Sequence, residues 1–101
     1  IFKLRYMTLG KIPIMLDNIN DENIDRQILR AALLAELDAI NLYEQMASMT
    51  KNKNLKAVLM DVAKEEKEHV GEFQYLLLKH DKQQEEELED GKKEVMALLG
   101  E

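Results

Sequence analysis

From Asp21 onward, apolar side chains recur at steps of three and four, the period of a helix with one face turned inward. One such row reads Leu29, Leu33, Glu36, Ile40, Tyr43 and Ala47. Asp21 predicts the start of this helix, because its side chain suits an N-cap and Glu22 behind it opposes the helix dipole. The pattern then runs unbroken to about Met49. The polar stretch Thr50-Lys51-Asn52-Lys53-Asn54 predicts a turn, and so short a connection brings the next helix back antiparallel. A second helix is expected from about Leu55 to about His80, with an inward row of Leu55, Leu59, Val62, Glu66, His69, Phe73 and Leu76. Past Asp81 the chain turns acidic, with Glu85, Glu86, Glu87, Glu89, Asp90 and Glu94 set against Lys82, Lys92 and Lys93. This predicts a solvated third helix, with Gly91 as a point of breakage. At its far end Val95, Leu98 and Leu99 make a small apolar patch suited to docking on the hairpin or on a neighbour.

Ahead of the first helix, residues 1–16 carry Lys3, Arg5 and Lys11 with no acid, and Gly10 and Pro13 interrupt any helical period. They read as an N-terminal extension to a helical domain spanning 17–101. One Pro and four Gly in 101 residues, with 46% hydrophobic and 34% charged positions, fit an all-α fold. The absence of cysteine removes disulfides, zinc ribbons, thiol chemistry and cysteine-held iron–sulfur clusters. No apolar run is long enough to span a bilayer or to form a signal-peptide core, so no membrane partner is expected and a cytoplasmic location is the default. The net charge of −6, without a basic stripe, argues against nucleic acid. Ser48 is the only serine and no glycine-rich phosphate loop exists, which sets aside hydrolytic triads and nucleotide enzymes.

The informative residues are the polar ones inside the apolar rows. An ionised carboxylate taken out of water without a partner costs several kcal/mol, so Glu36 and Glu66 need compensation. A purely structural reading pairs Glu36 with a buried base, or makes Glu66 and His69 a satisfied hydrogen-bonded pair. Neither row contains Lys or Arg, however, which leaves His69 alone to balance two acids. The other reading is a metal site: Glu66-x-x-His69 sets a carboxylate and an imidazole one turn apart on one face, where both reach a single ion. Di-iron carboxylate bundles need a lone Glu from each of two helices and a Glu-x-x-His from each of the other two. This chain holds one of each. Two copies about a two-fold axis complete the ligand set and a four-helix bundle, and a small domain gains from such association. An oxygen-rich site with one imidazole per ion suits Fe(II), with Mn(II) or Zn(II) able to use the same ligands.

The stretches Ala35-Glu36-Leu37-Asp38-Ala39-Ile40-Asn41-Leu42-Tyr43-Glu44 and Glu65-Glu66-Lys67-Glu68-His69-Val70-Gly71-Glu72-Phe73 resemble the encapsulated ferritins. The likeness covers about Asp21 to Asp81, including the interval between Glu36 and Glu66. It implies a ferritin-like fold and a ferroxidase with a di-iron site at a two-fold interface. Glu36, Glu66 and His69 of each subunit are the implied ligands, with Tyr43 beside them. It further implies a ring-shaped homodecamer of five dimers acting inside an encapsulin nanocompartment, with the encapsulin shell protein as partner. Some members carry Glu just before the first ligand and again two residues after it, as positions for metal uptake; here these are Ala35 and Asp38. A Trp near the site in some members is Leu42 here.

His80 lies 11 residues past His69, about 16 Å along a helix, and is expected to answer the helix dipole instead of joining the site. Met46, Met49 and Met60 are expected to fill core space near the turn. The acids of the third helix read as a solvated face. Met7-Thr8-Leu9-Gly10-Lys11-Ile12 loosely resembles the short peptides that tether cargo to encapsulin shells. The competing function is a helical assembly module, metal-bound or metal-free, whose interior polar residues set register alone.

Overall fold

The computed structural model describes residues 21–101, with side chains from residue 23 onward. The predicted extension 1–16, its tether-like segment and the Asp21 side chain lie outside the described residues. Three helices follow one another: α1 (Asp21–Met49), α2 (Lys53–His80) and α3 (Lys82–Leu99). The expected hairpin is present, and α1 and α2 pack against each other along their length.

The turn is tighter than its polar composition predicts. Asn52 caps α2, its side-chain oxygen accepting from the Leu55 N–H at 3.0 Å, so Lys53 and Asn54 belong to the helix and not to the loop. Thr50 holds the other side, its hydroxyl accepting from the Asn52 N–H at 3.1 Å and its own N–H reaching back to the Met46 carbonyl at 3.2 Å.

Buried apolar side chains among the described residues are few and small: Leu29, Ala31, Ala47, Ala63 and Leu77. The α1 row is inward as expected, with Leu29 and Ala47 buried and Leu33, Glu36, Ile40 and Tyr43 half-buried between them. On α2 two members of the expected row are misplaced. Leu76 is exposed and Leu77 takes its place, because a step of four from Phe73 keeps the row facing α1 while a step of three carries it outward. Leu55 is exposed in the first turn, beside the connection. Met49 and Met60 are exposed rather than core-filling, 79% and 45% respectively, and only Met46 is half-buried. Such a hairpin leaves much apolar surface in water, as expected of a half-bundle.

Asp81 alone separates α2 from α3. Its backbone is extended (φ −141°, ψ 87°), which ends one helix and opens the next. One carboxylate oxygen accepts from the Gln84 N–H at 3.0 Å and the other from Arg30 Nη2 of α1 at 2.9 Å. Arg26, one turn before Arg30, donates from Nε to the His80 carbonyl at 2.8 Å. Two arginines of α1 thus grip the α2–α3 junction. Helix α3 buries no residue, and Gly91 does not break it. It ends at Gly100, whose left-handed φ of 75° allows a Schellman closure, with the Gly100 N–H on Ala97 O and the Glu101 N–H on Met96 O. Val95, Leu98 and Leu99 do not dock on the hairpin; Leu98 is 85% exposed.

Candidate metal centre

Glu66 and His69 share a face of α2 by local geometry, and the antiparallel packing lays the middle of α1 across from them. His69 Nδ1 stands 3.3 Å from Glu36 Oε2 and 3.5 Å from Glu66 Oε2. A ligand atom from each of the three residues lies within 4.8 Å of the others. The side chains of Glu36 and Glu66 are 20% and 17% exposed, whereas that of His69 is 43% exposed, so the cluster sits in the packed seam and opens at the imidazole.

Two cations of the hairpin are engaged elsewhere. Lys67 points to Glu44 at 3.7 Å, and Arg30 is committed to Asp81. A lone imidazole between two carboxylates leaves this pocket short of positive charge, and the donor set of two carboxylates and one imidazole fits a divalent first-row cation. Three donors fall short of the ligand number such ions take, so a cation held here would need further ligands from elsewhere.

All three sequence-predicted ligands therefore converge. Tyr43, half-buried on the Glu36 row, makes no hydrogen bond to any of the three. His80 is outside the cluster, as expected, and its backbone carbonyl is held by Arg26. At the two positions where some encapsulated ferritins carry Glu, Ala35 is exposed and Asp38 half-buried. Sequence reasoning missed the Arg26, Arg30 and Asp81 grip, although Asp81-x-x-Gln84 carries a capping signal and the two arginines are four residues apart.

A protein-family model described as EncFtn-like matches residues 13–93. The chain belongs to the EncFtn-like family. A crystal structure of the encapsulated ferritin domain from Pyrococcus furiosus superposes with a TM-score of 0.79 at 46% identity, over 94% of this chain and 97% of that one. The chain is also 57% identical over 74 residues to the ferritin-like-encapsulin shell fusion protein of Pyrococcus furiosus, covering 73% of this chain and 21% of that protein. It is 41% identical over 66 residues to the encapsulin nanocompartment cargo protein EncC of Myxococcus xanthus, covering 65% and 50%. This EncFtn-like chain spans about a fifth and a half, respectively, of those two relatives. The all-α hairpin with its third helix is accordingly the encapsulated-ferritin fold, and no helix among the described residues is long and apolar enough to cross a membrane.

Proposed function

We propose that this chain is a ferroxidase subunit that oxidises Fe(II) to Fe(III) with O2, at a site it shares with a second copy across a two-fold axis. The observation that carries this reading is the convergence of Glu36, Glu66 and His69 from two helices, with their ligand atoms within 4.8 Å. Fe(II) is here the substrate: each ion gives up one electron, which O2 accepts. The protein's part is to hold and release. The two carboxylates bind the cation and offset its charge, while the neutral imidazole supplies one nitrogen and leaves the carboxylates in excess. Two copies bring six ligand residues, the complement of a di-iron carboxylate bundle. The exposed imidazole edge and the thin core support a partner on that face. Tyr43, two turns from Glu36 on the same row, is assigned in this reading an assisting role, as an electron donor or through a hydrogen bond made in the assembled site.

Family membership and the named relatives support a role as cargo of an encapsulin nanocompartment, with oxidised iron passing to the shell interior and the dimers arranged in a decameric ring. The test is direct: purified protein receives Fe(II) in air, and ferric absorbance is followed with and without His69→Ala. A fast, stoichiometric rise that the variant lacks supports the enzyme. A rise at the background rate in both samples supports the assembly module, a reading that draws on the contacts of His69 Nδ1 with both carboxylates.

A further inference from the structure

Glu36, Glu66 and His69 lie in a stretch of the α1–α2 seam that packs little of its own. Among the described residues, the buried apolar side chains gather at the two ends of the seam: Ala47 and Ala63 toward the turn, and Leu29, Ala31 and Leu77 toward the open end. Between Ala31 and Ala47 on α1, and between Ala63 and Leu77 on α2, no residue is buried. The turn of α1 that carries Glu36 also borders a groove of about 340 Å³, lined by Leu33, Leu34 and Leu37 together with Leu77 and Leu88. The site is thus held from the ends of the hairpin. The chain itself closes one end at Thr50 and Asn52, and the Arg26 and Arg30 grip closes the other. We propose that Arg30, through Asp81, is a positioning residue for the metal centre, keeping Glu36 opposite the Glu66-x-x-His69 pair. This role rests on reading the three residues as a metal centre.

The grip is the nearer of the two anchors. Arg30 stands about 9 Å before Glu36 along α1, whereas Thr50 lies about 21 Å beyond it. It is also the more selective. Rows of apolar residues at steps of three and four look alike after a slip of one helical turn, about 5.4 Å, so apolar packing alone discriminates weakly between neighbouring registers. The arginine contacts do not repeat. Arg30 Nη2 donates to Asp81 Oδ2 at 2.9 Å and Arg26 Nε to the His80 carbonyl at 2.8 Å, while the other Asp81 oxygen is committed to the Gln84 N–H. A slip that parts Glu36 from His69 also parts Arg30 from Asp81, which is buried and is penalised as a charge without its partner. Lys67 and Glu44 offer no equal hold: they stand 3.7 Å apart with both side chains well exposed, a contact that solvent screens.

The test reads cation binding without turnover. Full-length protein is titrated with Co(II), whose visible absorption reports the ligand set, and affinities are compared at equal helix content by circular dichroism. Arg30→Gln, and Asp81→Asn from the other side of the contact, are each expected to weaken Co(II) binding about tenfold. Arg30→Lys keeps a cation for Asp81 and is expected to recover most of that loss. Lys67→Ala removes an ion pair between the same helices and is expected to stay within about twofold of the parent. Glu36→Ala, alone and combined with Arg30→Gln, separates positioning from general loosening: a residue that acts through Glu36 adds no further loss once Glu36 is gone. Should Arg30→Gln lose helix content, Asp81→Asn carries the same comparison. Unchanged affinity in Arg30→Gln and Asp81→Asn, or losses that add to that of Glu36→Ala, overturn the proposal and leave the metal centre standing. A parent protein that binds no Co(II) overturns the metal centre itself, and the role of Arg30 with it.

Discussion

His69 Nδ1 lies 3.3 Å from Glu36 Oε2, although the two residues are 33 apart in sequence. Glu66 Oε2 reaches the same nitrogen at 3.5 Å, so one imidazole edge gathers carboxylates from both helices of the hairpin. In the proposed site a ring nitrogen of His69 and the two carboxylates would hold the cation. Ala substitution at any of the three is expected to reduce rapid Fe(II) oxidation to the uncatalysed background while circular dichroism shows the helix content of the parent. Full activity in Glu66→Ala or His69→Ala sinks the assignment of these ligands.

Tyr43 shares the Glu36 row without a hydrogen bond to the cluster. Tyr43→Phe is therefore expected to slow oxidation by a few-fold at most, against complete loss for the ligand variants. Stopped-flow absorbance separates the two, and a loss as large as that of His69→Ala makes the hydroxyl essential.

Because the cluster found among the described residues brings together three donors, fewer than a cation takes, cation binding is expected to draw copies together. Binding to the assembled state alone stabilises it by mass action, about 2.7 kcal/mol at a hundredfold excess over Kd. Light scattering with and without Fe(II) under anaerobic conditions should show a larger mean mass with metal, and thermal melts a higher Tm. A monomer in both samples rules out a shared site.

The Asp81 carboxylate is held below the ordinary aspartate range, chiefly by the Gln84 N–H and then by Arg30 and Arg26, with burial opposing. A depressed acid contributes stability that is fully present above its unfolded pKa and is lost as pH falls through the lowered folded value. The α2–α3 junction is thus expected to hold at neutral pH and to loosen only on acidification below the usual aspartate range. Asp81→Asn keeps an acceptor for the cap but loses the charge, so it should flatten this acid dependence while retaining α3, whereas Asp81→Ala loses both. Melts followed by circular dichroism across acid pH distinguish them.

Gly91 and Gly100 should respond oppositely to alanine. A Cβ at Gly91 meets nothing within 4 Å in mid-helix, so Gly91→Ala is expected to stabilise α3 by about 0.5–1 kcal/mol. Gly100 sits at φ 75°, where an alanine Cβ is strained, and Gly100→Ala should fray the last turn at a cost of roughly 1–2 kcal/mol. Amide hydrogen exchange near Met96 and Ala97 reads the second effect.

What the sequence by itself determined is what short-range geometry controls. Helical period and the polar turn mark the hairpin, and Glu66 and His69 must share a face because three residues make nearly one turn. The inward position of Glu36 follows from the same period. That Glu36 meets this pair, and that Arg30 meets Asp81 across 51 residues, was decided only by tertiary structure, because the relative slide of two packed helices depends on every contact along the seam. The fate of α3 lay equally out of reach: Val95, Leu98 and Leu99 look like a docking patch, yet on a helix that starts at Asp81, capped by its carboxylate while Arg30 of α1 holds the other oxygen, they stay exposed. Periodicity tells which face of a helix seeks cover, and the junction geometry decides whether its own chain supplies it.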